Sequence, residues 1–233
     1  MKRIEMLFPE FCNLFGDMSN MRYLKKCLPD AEFIETSFDS SPVFLTEPVD
    51  LVYLGPMTER TQEKVIQKFL PHREKIRELI ENGTVFFCTG NALEIFGSYI
   101  ETEESRRIDC LNLFPFHAKR DMMHRHNSTF LGSFQDKPVM GFKSQFTLAY
   151  PDGDLPGLFP VKRGVGLNKK CKFEGIHSHN FFGTYLLGPL LLLNPDFTRY
   201  LLSCMGAEGN SLAFPEDMEE AYQVRLKDFL EKT

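Results

Sequence analysis

The chain has 233 residues, of which 25% are charged and 42% hydrophobic, and its formal net charge is -5 at pH 7. This composition is typical of a folded globular protein and excludes a disordered chain or a broadly basic nucleic-acid-binding protein. Residues 1–9 lack the long apolar segment of a signal peptide, and the apolar run at 190–193 is too short to span a bilayer. We therefore expect a cytoplasmic protein that binds neither nucleic acid nor membranes.

The first 90 residues alternate between predicted strands and predicted helices. Short apolar segments predict strands over residues 4–8, 31–36, 50–54 and 84–87, and helical spacing predicts helices over residues 19–27, 61–70 and 73–81. Short links between such elements predict right-handed crossovers, and hence an α/β fold with a mostly parallel sheet flanked by helices. Sites in such sheets lie at the carboxyl ends of strands, which is where Gly55 and Cys88 are expected.

From about residue 108 the pattern changes to short strands between loops rich in glycine, proline and asparagine. We predict strands over residues 138–142, 175–177 and 181–186, and helices over residues 196–204 and 215–230. No internal repeat or linker divides the chain, so a single domain over residues 1–233 is predicted. The six cysteines form no Cys-x-x-Cys pair, and we expect neither a metal site nor a cofactor.

Cys88 is the cysteine whose neighbourhood points to chemistry. It ends the apolar run V-F-F-C and is followed by Thr89 and Gly90, which predicts a strand that turns sharply into a helix. A thiol at the N-terminus of a helix is stabilised as thiolate by the helix dipole. We therefore expect Cys88 on the turn, beside the ends of the neighbouring strands at Gly55 and Leu187.

Several segments carry a resemblance to one family. They are residues 13–20 (N-L-F-G-D-M-S-N), 50–62 with Gly55, Arg60 and Gln62, 88–90 (C-T-G), 141–142 (G-F), 164–168 (G-V-G-L-N), and 174–195 with E-G, G-T-Y, G-P-L-L and N-P. In this order they resemble the class I glutamine amidotransferases of the cobyric-acid-synthase type, and most closely the glutaminase subunits of lipid II isoglutaminyl synthases. The resemblance runs over nearly the whole chain.

The resemblance implies a reaction, a site and a partner. A cysteine thiolate, here Cys88, would attack the side-chain amide of glutamine, and a histidine would move the protons. Gly55 and Thr89 would lie at the oxyanion-binding or substrate-binding part of the site, and Arg125 would contact substrate. The released ammonia would pass to a Mur-ligase-like, ATP-dependent synthase subunit that amidates a peptidoglycan precursor.

The chain departs from the family's pattern at several positions. Leu187 stands where the resemblance places the catalytic histidine, and leucine has no proton to exchange. General acid–base assistance is typically worth about 10²–10⁴ in rate. The family's G-G-G turn becomes Gly55-Pro56-Met57, in which proline has no N–H to donate. Counted from Cys88, the glutamine that follows the nucleophile becomes Ala92.

These departures predict a glutaminase-like subunit whose glutamine hydrolysis is impaired or lost. Three alternatives stay open on the sequence alone. The chain could be an active glutaminase in which another histidine, such as His177 or His179, reaches Cys88. It could be a non-enzymatic scaffold or regulatory subunit, or an enzyme that uses the Cys88 thiol for other hydrolytic chemistry.

Overall fold

The computed structural model describes residues 1–207, 209 and 212–232. These residues form thirteen strands: β1 (Arg3–Leu7), β2 (Glu32–Thr36), β3 (Leu51–Leu54), β4 (Val85–Thr89), β5 (Tyr99–Glu101), β6 (Arg107–Asp109), β7 (Phe116–Arg120), β8 (His126–Phe134), β9 (Lys137–Gln145), β10 (Thr147–Pro151), β11 (Gly157–Arg163), β12 (Phe173–Ser178) and β13 (Phe181–Thr184). They also form five α-helices: α1 (Ser19–Cys27), α2 (Glu59–Phe69), α3 (Arg73–Glu81), α4 (Pro195–Cys204) and α5 (Pro215–Lys232).

The larger sheet has nine strands in the order β2-β1-β3-β4-β13-β12-β11-β8-β9. The first five strands in this order pair in parallel, and the remaining pairings are antiparallel. A smaller sheet has the order β10-β7-β5-β6. The α/β class predicted from the sequence is confirmed, with an antiparallel extension beyond the parallel strands.

Helices cover both faces of the parallel strands because these strands are apolar on both sides. On β4, Phe86 and Cys88 pack into a cluster with residues of α2 and α3, whereas Val85 and Phe87 pack into a second cluster with residues of α1 and α4. This alternation follows from the period of two along a strand. Consecutive residues of β4 therefore belong to different cores, which decides where the Cys88 thiol points.

The antiparallel half of the large sheet includes a long hairpin. Strands β8 and β9 pair over their whole lengths and are joined by the two-residue turn Gln135-Asp136. Strand β9 then leads to the smaller sheet through β10, which pairs with β7. No helix in the described part of the chain combines the length and the apolar character needed to cross a bilayer.

Candidate functional site

The carboxyl ends of β3, β4 and β13 lie side by side, because these three strands are parallel neighbours. A cavity of about 360 Å³ opens beyond these ends, and its walls include Pro56, Gly90, Asn91, Arg125, Gln145 and Leu187. Two of the residues singled out from the sequence, Arg125 and Leu187, therefore line one cavity. It is the candidate site, and we call it the strand-end cavity.

Gly90 is the residue at which β4 turns into the strand-end cavity. Its φ is +59°, in the left-handed region where residues other than glycine are strained. An ideal Cβ at this position would lie 3.3 Å from Leu187 Cδ2 and 2.5 Å from Pro56 Cβ. A side chain at position 90 would therefore point between Leu187 and Pro56, and the proline ring would have to move to admit it.

Cys88 lies elsewhere, contrary to the prediction that it sits on the turn. It is a residue of β4 with no solvent-exposed surface, and its side chain packs in the apolar cluster that contains Phe86 and Ala92. Burial raises the pKa of the Cys88 thiol well above its ordinary value. The strand continues two residues further than predicted, through Thr89, so that the thiol faces the core and the turn begins at Gly90.

The turn after β3 leaves few donors for an oxyanion. Gly55 has no room for a side chain, since a Cβ there would lie 2.3 Å from the carbonyl oxygen of Cys12. Pro56, the next residue, has no N–H. The N–H of Met57 donates to Asn91 Oδ1 at 3.0 Å, and Asn91 Nδ2 donates back to the Met57 carbonyl at 2.8 Å. The Met57 N–H is therefore already occupied by Asn91, a residue of the turn after β4.

Thr89, which was expected to contact substrate, instead supports the wall of the cavity. Its hydroxyl donates to the buried carboxylate of Asp17 at 2.5 Å, and the same carboxylate accepts hydrogen bonds from Tyr53 and from the backbone N–H of Gly188. Burial raises the pKa of Asp17, and these hydrogen bonds act in the opposite direction. The network ties the end of β4 to the segment that carries Leu187.

The histidines considered as replacements for the missing base do not line the strand-end cavity. His177 stacks on Phe182, with ring centroids 4.3 Å apart, and burial lowers the pKa of its imidazole. His179 lies in the turn between β12 and β13 with a φ of +52°. Among the described residues, no histidine belongs to the walls of this cavity. Arg125 does, and its guanidinium lies 4.5 Å from the centre of the Phe146 ring.

A buried carboxyl group beneath the turn was not found from the sequence. Glu94 is fully buried, and its carboxylate accepts hydrogen bonds from Gln62 Nε2 at 2.8 Å and from the Tyr185 hydroxyl at 3.1 Å. Gln62 Oε1 accepts in turn from Arg120 at 2.9 Å. Burial raises the pKa of Glu94 to about 7, although these neighbours oppose the shift. The spacing from Gly90 could have identified this residue, had the turn been assigned to that glycine.

Comparisons with known proteins show which proteins the chain resembles. The similar proteins include the lipid II isoglutaminyl synthase (glutamine-hydrolyzing) subunit GatD of Staphylococcus aureus. It is 24% identical to this chain over 223 residues, which cover 94% of this chain and 90% of the relative. The subunit of the same name from Streptococcus pneumoniae is 22% identical over 211 residues, covering 84% and 77% respectively.

Solved structures agree on the fold. A crystal structure of a glutamine amidotransferase matches with a TM-score of 0.54 at 11% identity, covering 87% of this chain and 98% of that one. A glutamine amidotransferase from Thermotoga maritima matches with a TM-score of 0.51 at 11% identity, covering 99% and 98%. Residues 3–194 match the CobB/CobQ-like glutamine amidotransferase domain. The chain therefore belongs to the CobB/CobQ-like glutamine amidotransferase family.

Proposed function

We propose that this protein is a glutaminase-like subunit of a ligase-type complex in which the amidotransferase fold is kept and the hydrolysis of glutamine is lost. One observation carries the proposal. Position 90 has no side chain and position 187 is leucine, and these two residues face each other in the wall of the strand-end cavity, where a Cβ at position 90 would lie 3.3 Å from Leu187 Cδ2. Glutamine hydrolysis by this family's chemistry needs a nucleophile and a proton-transferring group at such facing positions.

We infer that Gly90, rather than Cys88, occupies the position of the family's nucleophile. The positive φ of Gly90 suits the sharp strand-to-helix turn on which a nucleophile is exposed, and its Cβ direction points between Pro56 and Leu187 in the wall of the cavity. Counted from Gly90, the elbow's glutamine falls on Glu94, whose carboxyl group keeps hydrogen-bonded partners, instead of on Ala92. Cys88, with a raised pKa and no exposed surface, lacks the accessibility that a thiolate nucleophile requires.

The relatives' names support the choice of partner and pathway. Both are glutamine-hydrolysing subunits of lipid II isoglutaminyl synthases. We propose that the present chain, as one domain over residues 1–233, works in the cytoplasm with a Mur-ligase-like, ATP-dependent synthase subunit on a peptidoglycan precursor. In such a complex a subunit without glutaminase activity would serve as a scaffold or regulator of its partner. The strand-end cavity would then hold glutamine, or a related small molecule, without hydrolysing it.

The direct test is ammonia release from glutamine. We expect none above the background rate from the natural protein, because neither nucleophile nor base is in place. The triple variant Pro56→Gly, Gly90→Cys, Leu187→His should gain measurable release, because it restores thiol, imidazole and the space between them. Without Pro56→Gly, the thiol would meet the proline ring, so the Gly90→Cys, Leu187→His double variant should release less.

Cys88 supplies the matched control. Cys88→Ala in the triple variant should leave ammonia release unchanged, whereas replacing the new cysteine by alanine should abolish it. Ammonia release by the natural protein at ordinary enzyme rates, lost in Cys88→Ala, would overturn the proposal. Co-purification with a Mur-ligase-like protein encoded in the same genome tests the partner separately.

A further inference from the structure

A second and larger cavity lies outside the site described above. It measures about 800 Å³, and we call it the basic cavity because its walls include Lys119, Arg120, His126, Tyr150, Lys169 and Lys170. It lies against β7 and β10 of the smaller sheet. Cavities of this size commonly bind small molecules. Neither the family match nor the motifs of the sequence assign a role to it.

The walls of the basic cavity carry an excess of positive charge. Lys169 and Lys170 form no ion pair with any residue that the structure describes. Lys119 pairs with the partly exposed Glu101 at 3.3 Å, a surface contact that contributes little. The acidic wall residue Asp121 is already hydrogen-bonded to His124 at 2.8 Å. In a chain of net charge -5, this is a local concentration of cations.

The two free lysines are held in place by their loop. Asn168 is buried, and its Nδ2 donates to the Ala149 carbonyl of β10 at 2.7 Å. Its Oδ1 accepts from the backbone N–H groups of Lys170 at 2.9 Å and Cys171 at 3.1 Å. These bonds fix the turn that contains Lys169 and Lys170 to β10, the strand that pairs with β7 and its Lys119. The backbone of this turn is therefore already ordered before a ligand binds, which lowers the entropic cost of binding.

The walls of the basic cavity also include the guanidinium group of Arg120 and the imidazole of His126. The Arg120 guanidinium is held by Glu63 at 3.0 Å and by Gln62 at 2.9 Å, and its buried Nε has no partner in the described part of the chain. The pKa of His126 is lowered by burial and by the nearby charge of Lys169. His126 is thus kept neutral by the same surroundings that attract an anion.

We propose that the basic cavity binds a phosphorylated small molecule. Lysine ammonium groups act as point charges that suit a compact, multiply charged phosphate, whereas the planar fork of Arg120 is already committed to Glu63 and Gln62. The remainder of the ligand would lie along Leu148 and Tyr150, which form the less polar wall. The inference concerns a different cavity from the proposed function and does not rest on it.

Cys171 makes the proposal testable in the intact protein. It lines the basic cavity and is half-buried, whereas the similarly half-buried Cys204 lies on α4 and is not part of these walls. We expect inorganic diphosphate at millimolar concentration to slow iodoacetamide alkylation of Cys171 by threefold or more, measured by peptide mass spectrometry. Alkylation of Cys204 in the same sample should not change.

Two comparisons decide the outcome. In the Lys169→Ala, Lys170→Ala variant, whose substituted side chains are exposed, the protection by diphosphate should disappear while Cys204 reacts as before. Sodium chloride at matched ionic strength should give no protection. Absence of protection in the natural protein, or equal protection in the variant, would overturn the site. Equal protection by citrate would overturn the phosphate class.

Discussion

The buried carboxyl group of Glu94 predicts a specific pH dependence of stability. Burial raises its pKa from 4.5 to about 7, so the folded protein holds a proton that the unfolded chain has lost between these two values. Stability therefore falls as the pH rises through this window, by about 3 kcal/mol in total. Glu94→Gln mimics the protonated form and can keep hydrogen bonds to Gln62 and Tyr185. It should match the natural protein near pH 4.5 and exceed it by about 3 kcal/mol at pH 8.

The measurement is urea unfolding of both proteins from pH 4.5 to pH 8. Burial also raises the pKa of the Asp17 carboxyl group, but this group titrates in both proteins and cancels in the difference. The difference between the two free energies of unfolding should grow from near zero and level off above pH 7. A difference that stays constant across the range would refute the reasoning, because a constant offset reports packing and not ionisation.

Three further outcomes are expected. Lys143→Met should lower the free energy of unfolding by about 3–5 kcal/mol, because it leaves the fully buried carboxylate of Glu174 without the ammonium group that lies 2.8 Å away. Urea titration measures this loss, and a loss below about 1 kcal/mol would contradict the prediction. The thiol of Cys88 should resist alkylation in native protein at pH 8 and react only after denaturation, as followed by mass spectrometry. Asp17→Asn should destabilise the fold by about 1–3 kcal/mol in thermal unfolding, because its amide nitrogen must face either the Gly188 N–H or the hydroxyl groups of Thr89 and Tyr53, all of which donate to the natural carboxylate.

The parallel half of the fold could be predicted because its signals are local. The helix expected over residues 19–27 is α1, the helix expected over 73–81 is α3, and the strand expected over 50–54 contains β3. In each of these elements the apolar residues recur at one regular spacing, and a turn residue or a capping residue marks the end of the pattern. For α2 that residue is Thr58, whose hydroxyl oxygen accepts from the Thr61 N–H.

The antiparallel half was harder to predict because its turns lack the usual residues. The β8–β9 hairpin turns at Gln135 and Asp136, with φ values of +46° and +64°. Turns with two such residues usually contain glycine or asparagine, which adopt these values at low cost. Without that signal β8 was not predicted at all, and only the middle of β9 was. Residues 126–134 alternate in burial only over their first half, which also weakened the pattern.

The turn after β4 begins two residues later than predicted, and under the proposed function this shift moves the nucleophile position from Cys88 to Gly90. Cys88 still belongs to β4 and faces the closed core, whereas Gly90, two residues further on, lies past the end of the strand in the wall of the cavity. The apolar run indicated where the strand lies but not where it ends. The better signal was Gly90 itself, since only glycine readily adopts the φ of +59° found there.

Under the proposed function, the three departures from the family's pattern at the strand-end cavity amount to one change in packing. Pro56, Gly90 and Leu187 meet at one point, where a Cβ at position 90 would lie 2.5 Å from the proline ring. A cysteine at position 90 is therefore incompatible with Pro56 unless the turn moves. On that proposal, the proline ring occupies space that a nucleophile at position 90 would need, and the leucine supplies an apolar contact where an imidazole would need a polar partner. If the proposed function holds, we expect no single substitution to restore catalysis, because a cysteine at position 90 meets the ring of Pro56 and a histidine at position 187 alone has no thiol beside it.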